Sequence, residues 1–142
     1  MRIVGLDVGR RRIGIAISDA SRTLARPVGV IQTTDLGARA VNLVASEIAK
    51  LTADDDAVSA IVLGLPRRLD GSANEMTADV QRFATLLEER THLPVALQDE
   101  RLTSVEAESR LAVREKNWRA RKAKLDAAAA AIILQDYLDR DA

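Results

Sequence analysis

The stretch GLDVGRRRIGIAISD near the N-terminus constrains the fold more than any other part of the chain. Residues 2–8 form a short apolar run, and residues 12–18 alternate between isoleucine and small side chains. Strict alternation is typical of a half-buried strand, and the connection at Gly9 is short enough for a turn. We therefore predict a β-hairpin that carries Asp7 inside its first strand and three arginines, residues 10–12, at its turn.

Apolar periodicity predicts three more strands and four helices after this hairpin. In chain order they are a strand at 28–31, a helix at 37–51, a strand at 60–66, a helix at 73–90, a strand at 94–100, a helix at 103–111 and a last helix at 125–138. Residues 113–124 have no apolar periodicity and are predicted to form a loop. The order β-β-β-α-β-α-β-α-α predicts an α/β fold, a mixed five-stranded sheet with helices packed on it. A ribonuclease H-like domain has this order.

Composition excludes several classes of site. The 142 residues suit one domain, residues 1–142, and contain no cysteine and one histidine, His92. Thiolate metal sites, histidine metal sites and a Ser-His-Asp triad are therefore not expected. The N-terminus has no signal-peptide pattern, and no apolar stretch has the length of a membrane span. We expect a cytoplasmic protein that does not associate with membranes.

Three carboxylates occupy positions where acidic residues are unfavourable or unusually placed. Asp7 lies within an apolar strand, although its side chain could instead cap the Gly9 turn. Glu100 ends a predicted strand, which is where sites in α/β sheets gather but also where charged residues are common. Asp126 is predicted to open the last helix and to face the sheet, with stabilisation of the helix dipole as the alternative explanation.

Together these three acids predict a divalent metal site. Oxygen ligands without histidine or cysteine suit Mg²⁺ or Mn²⁺. Two such ions about 4 Å apart can activate a water molecule and stabilise the leaving oxygen of a phosphodiester. In this hypothesis Asp7 and Asp126 hold the ions, and Glu100 is a third ligand or orients the water. All three are predicted as both catalytic residues and metal ligands.

Basic residues cluster in sequence even though 21 Lys and Arg balance 21 Asp and Glu. Most charge clusters are solvated surfaces, but the segment REKNWRARKAK directly precedes Asp126 and could contact phosphates beside the acids. Trp118 within it could stack on a base or serve as a packing or dimer contact. The predicted nucleic-acid contacts are Arg12, Arg67, Arg68, Arg119, Arg121, Lys122 and Lys124.

Four ordered motifs, GLDVGRRRIGIAISD, VLGLPRRLDGS, DERLTS and RARKAKLDAAAAAIILQDYL, resemble those of the YqgF/RuvX family. The resemblance implies a ribonuclease H-like fold related to the RuvC resolvases. It also implies a nuclease, either a Holliday junction resolvase acting in DNA recombination or an enzyme of ribosome biogenesis that matures the 5′ end of pre-16S rRNA. It assigns the acidic roles to Asp7, Glu100 and Asp126.

Other functions are still open at this point. A non-catalytic module that binds RNA, a ribosome-assembly factor or a transcription partner could carry the same acids. The first hairpin also looks like the phosphate-binding hairpin of sugar kinases and actin-like ATPases, although those proteins use two such domains around a cleft. The sequence does not separate precursor rRNA from branched DNA, or exonuclease from endonuclease cleavage. It leaves a homodimer open, since resolving a junction needs two cuts.

Overall fold

A computed structural model of the chain describes residues 1–52, 57–66, 70, 72–99 and 118–140, with residues 118–126 described by their backbone. The strands are β1 (Arg2–Val8), β2 (Arg12–Ser18), β3 (Ala25–Gln32), β4 (Val58–Leu65) and β5 (Val95–Asp99). The helices are α1 (Ala38–Thr52), α2 (Thr77–Thr91) and α3 (Trp118–Arg140). The helix predicted at 103–111 lies outside the described residues.

The strands form one mixed sheet in the order β3-β2-β1-β4-β5. β1 pairs antiparallel with β2, and β2 pairs antiparallel with β3, while β1–β4 and β4–β5 are parallel. The predicted five-stranded mixed sheet is confirmed. β3 is longer than the predicted 28–31 and includes Pro27, which an edge strand tolerates because one side of its backbone pairs with no other strand.

The two faces of the sheet pack against different helices. One face packs on α1 and α2, in a core that includes Val4, Leu6, Ile13, Ile15, Val44, Ile61 and Phe83. The other face packs on α3, in a core that includes Ile3, Ala16, Val62, Ala130, Ile133 and Leu134. Alternate residues of β1 therefore belong to different cores, as the period of a strand requires.

α2 begins at Thr77 and not at residue 73, so its predicted start was wrong. The side chain of Asn74 accepts a hydrogen bond from the backbone N–H of Met76 at 2.9 Å, which favours a turn over a helix. The buried Thr77 hydroxyl lies 2.6 Å from the carbonyl oxygen of Pro66 and accepts from the N–H of Asn74 at 2.8 Å. These contacts tie the start of α2 to the end of β4.

Replacing Thr77→Val is expected to lower the free energy of unfolding by about 1–3 kcal/mol, because the change leaves buried polar groups of Pro66 and Asn74 without their partner. The matched control is Thr85→Val, an exposed position in the same helix whose hydroxyl donates to the carbonyl of Gln81. Urea denaturation of both variants measures the difference. Equal unfolding free energies for the two variants would show that the Thr77 hydroxyl does not hold this junction.

α3 begins at Trp118, seven residues before the predicted start at residue 125. Residues 118–124 were predicted as a loop and are helical. Arginine, lysine and alanine have high helix propensity, so this segment can form a helix without an apolar stripe. Within the described part of the chain, none of the helices is long and apolar enough to cross a membrane.

Candidate functional site

Asp7 lies on the face of β1 that packs against α3. It is half-buried and stands opposite Gly14 of β2 in the antiparallel register. Its chain neighbours Leu6 and Val8 point into the core under α1 and α2, so Asp7 points to the other face, with Ile3. The alternating strand thus presents one carboxylate within an otherwise apolar or small-residue surface.

α3 approaches β1 closely beside this carboxylate. A Cβ atom built on Gly5 would lie 2.7 Å from the Leu134 Cβ and 3.1 Å from the Ala130 carbonyl oxygen. Gly5 is two residues before Asp7 and therefore on the same face of β1. The helix can lie this close because glycine meets an alanine-rich segment. Sequence reasoning did not single out Gly5, although a glycine inside an apolar strand is a recognised signal of close backbone approach.

Asp126 belongs to the helix that covers the Asp7 face, one turn before Ala130. It was predicted to open the last helix, and that prediction was wrong, since α3 begins eight residues earlier and its first turn contains no acidic residue. The helix-dipole explanation for an acid at this position therefore no longer applies, because the dipole acts within the first turn.

Parallel pairing brings the ends of three strands to one edge of the sheet. Leu6 of β1 pairs with Leu63 of β4, and Leu65 of β4 pairs with Asp99 of β5. Asp7 therefore lies toward the edge at which β4 and β5 end. Glu100 follows Asp99 directly in sequence but lies outside the described residues.

The remaining predicted residues are described to different extents. Arg12 is half-buried at the start of β2, opposite Gln32, and its carbonyl accepts the N–H of Gly9 at 2.8 Å, which closes the hairpin turn. Two further predicted contacts, Arg67 and Arg68, lie outside the described residues. The backbones of Arg119, Arg121, Lys122 and Lys124 are helical. Among the described side chains, no three His, Asp or Glu residues group together. The predicted acidic triad includes Glu100 and the Asp126 side chain, and it stays a prediction.

A comparison with protein families adds a decisive observation. The sequence model described as "RuvX: Holliday junction resolvase" matches residues 1–140. The chain belongs to the RuvX family. A RuvX-family relative from Lactiplantibacillus plantarum is 42% identical over 142 residues, covering 99% of this chain and 95% of the relative. Its name is "Putative pre-16S rRNA nuclease".

Solved structures agree with the fold of this RuvX-family chain. The fowlpox virus Holliday junction resolvase aligns with a TM-score of 0.57 and 14% identity, covering 100% of both chains. Thermus thermophilus RuvC, in complex with a Holliday junction substrate, aligns with a TM-score of 0.52 and 15% identity, covering 99% of this chain and 96% of RuvC. The predicted ribonuclease H-like fold and the resemblance to a nuclease family are both confirmed.

Proposed function

We propose that this RuvX-family protein is a metal-dependent nuclease that hydrolyses phosphodiester bonds in structured nucleic acid. The observation that carries the proposal is the position of Asp7, a half-buried carboxylate on the face of β1 that α3 covers, in a chain whose whole length matches a nuclease family. The names of its relatives support two substrates, precursor 16S rRNA and the Holliday junction. We place precursor rRNA first because the 42%-identical relative carries that name.

The donor set fits Mg²⁺ or Mn²⁺. The chain has no cysteine, and its single histidine, His92, caps the C-terminal end of α2. Asp7, Glu100 and Asp126 would therefore hold the metal through carboxylate oxygens, the ligands that these ions prefer. When bound, such ions lower the pKa of water and stabilise the charge that develops on the leaving oxygen.

The chain's own residues position the substrate. β1 lies between β2 and β4 in the sheet, so the backbone that carries Asp7 is held on both sides. In the proposal Glu100 orients the attacking water, and the basic residues of α3, such as Arg121 and Lys124, neutralise phosphates on either side of the cleaved bond. Hydrolysis there would leave a 5′-phosphate and a 3′-hydroxyl.

The test offers the purified protein an end-labelled precursor 16S rRNA and a labelled four-way DNA junction in parallel reactions. The proposal predicts cleavage that requires Mn²⁺ or Mg²⁺, stops with EDTA, and leaves the 5′-phosphate on the product. Binding of either nucleic acid without cleavage in any divalent metal would support a non-catalytic binding module instead. ATP hydrolysis by the protein would support the actin-like ATPase alternative.

A further inference from the structure

A polar cleft lies between the β1–β2 turn and the N-terminal ends of α1 and α2. Its volume is about 560 Å³, and three arginines line it, Arg10 from the turn, Arg39 from α1 and Arg82 from α2. Two leucines, Leu36 and Leu86, also line the cleft and pack against the core under α1 and α2. The cleft therefore lies on the face of the sheet opposite to Asp7.

The arginines in this cleft are poorly matched by acids of the protein. Two aspartates line the cleft, and Asp35 accepts a hydrogen bond from the Gly37 N–H at 2.9 Å. Asp79 lies 3.7 Å from Arg82, whose side chain is 72% exposed, which makes a weak ion pair. Within the described part of the chain, Arg39 takes part in no ion pair. An external anion can therefore reach these guanidinium groups.

The position of Arg39 adds to this electrostatic argument. It is the second residue of α1, a helix whose first turn contains no acid. A cation is unfavourable there because unpaired N–H groups make the helix N-terminus partly positive. Arg10 donates from its Nε to the Met76 sulfur at 3.1 Å, a weak acceptor. A phosphate group in the cleft would neutralise all of these positive charges together.

The cleft is close to Asp7 along the chain. Arg10 follows Asp7 by three residues in the same hairpin, and three residues span at most about 10 Å. A nucleic-acid strand that passes Asp7 on one face can therefore continue around the hairpin turn into the cleft. Leu36 and Leu86 would offer apolar surface to a sugar or base.

We infer that this cleft, which we call the arginine cleft (Arg10, Arg39 and Arg82), binds phosphates of the substrate strand beyond the cleavage site. The inference rests on the proposed function for the identity of the strand, whereas its test measures binding in EDTA, where cleavage does not occur. The arginine cleft would extend the binding surface around the end of the sheet without contacting the reacting phosphate.

The test compares two double variants with the same change in net charge. R39Q/R82Q removes two arginines of the cleft, and the control R26Q/R90Q removes one from β3 and one from the C-terminal part of α2. Fluorescence anisotropy with a labelled single-stranded RNA oligonucleotide measures affinity over a range of salt concentrations. R39Q/R82Q is expected to bind about 10-fold more weakly than the control, with a log–log salt slope smaller by about 2, one unit per lost phosphate contact.

Equal affinities and salt slopes for the two double variants would overturn the inference. Binding of a labelled mononucleotide as tight as that of the oligonucleotide would also overturn it, since the cleft would then hold a small phosphate ligand and not a strand. The outcome is separate from that of the cleavage test. Wild type that cuts no nucleic acid but depends on Arg39 and Arg82 for RNA affinity would refute the nuclease and keep the arginine cleft.

Discussion

Asp7→Asn is expected to abolish metal-dependent cleavage while the protein stays folded. Asparagine has the same size as aspartate but lacks the charge that a divalent metal requires of its ligand. The rate should fall at least about 100-fold, because removing only an outer-shell partner of a metal ligand typically costs 10–100-fold. Initial rates at saturating Mn²⁺ give the loss, and circular dichroism with thermal unfolding gives the state of the fold.

The control for this variant is Asp139→Asn, the same chemical change at an exposed position near the C-terminal end of α3. It should retain wild-type cleavage, because Asp139 accepts a hydrogen bond from Gln135 in its own helix and has no proposed role in binding metal. Full activity of Asp7→Asn would contradict the proposal. So would equal loss in the two variants, since a general effect of removing an acid would then explain both.

Gly5→Ala is expected to destabilise the protein by about 1–3 kcal/mol, the usual cost of forcing an extra methyl group into a packed core. The added Cβ would meet the Leu134 Cβ at 2.7 Å and the Ala130 carbonyl oxygen at 3.1 Å. Neither atom is the end of a flexible side chain, so α3 has to move away from β1. Guanidinium denaturation measures the change in unfolding free energy.

The matched control is Gly29→Ala on the edge strand β3, where an added Cβ would have nothing within 4 Å. That change should leave stability within about 0.5 kcal/mol of wild type or raise it slightly. Gly5→Ala should also reduce the cleavage rate at temperatures where it is fully folded, because moving α3 alters the separation of Asp7 and Asp126. Equal stability of the two alanine variants would show that α3 does not lie as closely on β1 as described.

The strands were predictable because their patterns are local. The alternation of residues 12–18 places isoleucines on one face and small residues on the other, and the structure keeps both β1 and β2 at their predicted bounds. Helix starts were less predictable. α2 starts late because the Asn74 side chain and the Thr77 hydroxyl make specific hydrogen bonds, and α3 starts early because propensity alone extends it.

The candidate site was predictable only where a residue conflicts with its own surroundings. Asp7 is noticeable because it interrupts an apolar run. The contact of Gly5 with Leu134 joins positions far apart in the chain, and the arginine cleft joins three separate elements. Local periodicity carries no information about such tertiary contacts, so the side chains that surround a site have to come from the fold.

Mn²⁺ binding measured by electron paramagnetic resonance tests the central claim, that Asp7, Glu100 and Asp126 hold one metal site, most directly. Titrations of wild type, Asp7→Asn, Glu100→Gln and Asp126→Asn need neither a substrate nor turnover. We predict that each of the three substitutions weakens Mn²⁺ binding at least about 10-fold, whereas Asp139→Asn leaves it unchanged. Wild-type Mn²⁺ affinity in Asp7→Asn would contradict the account.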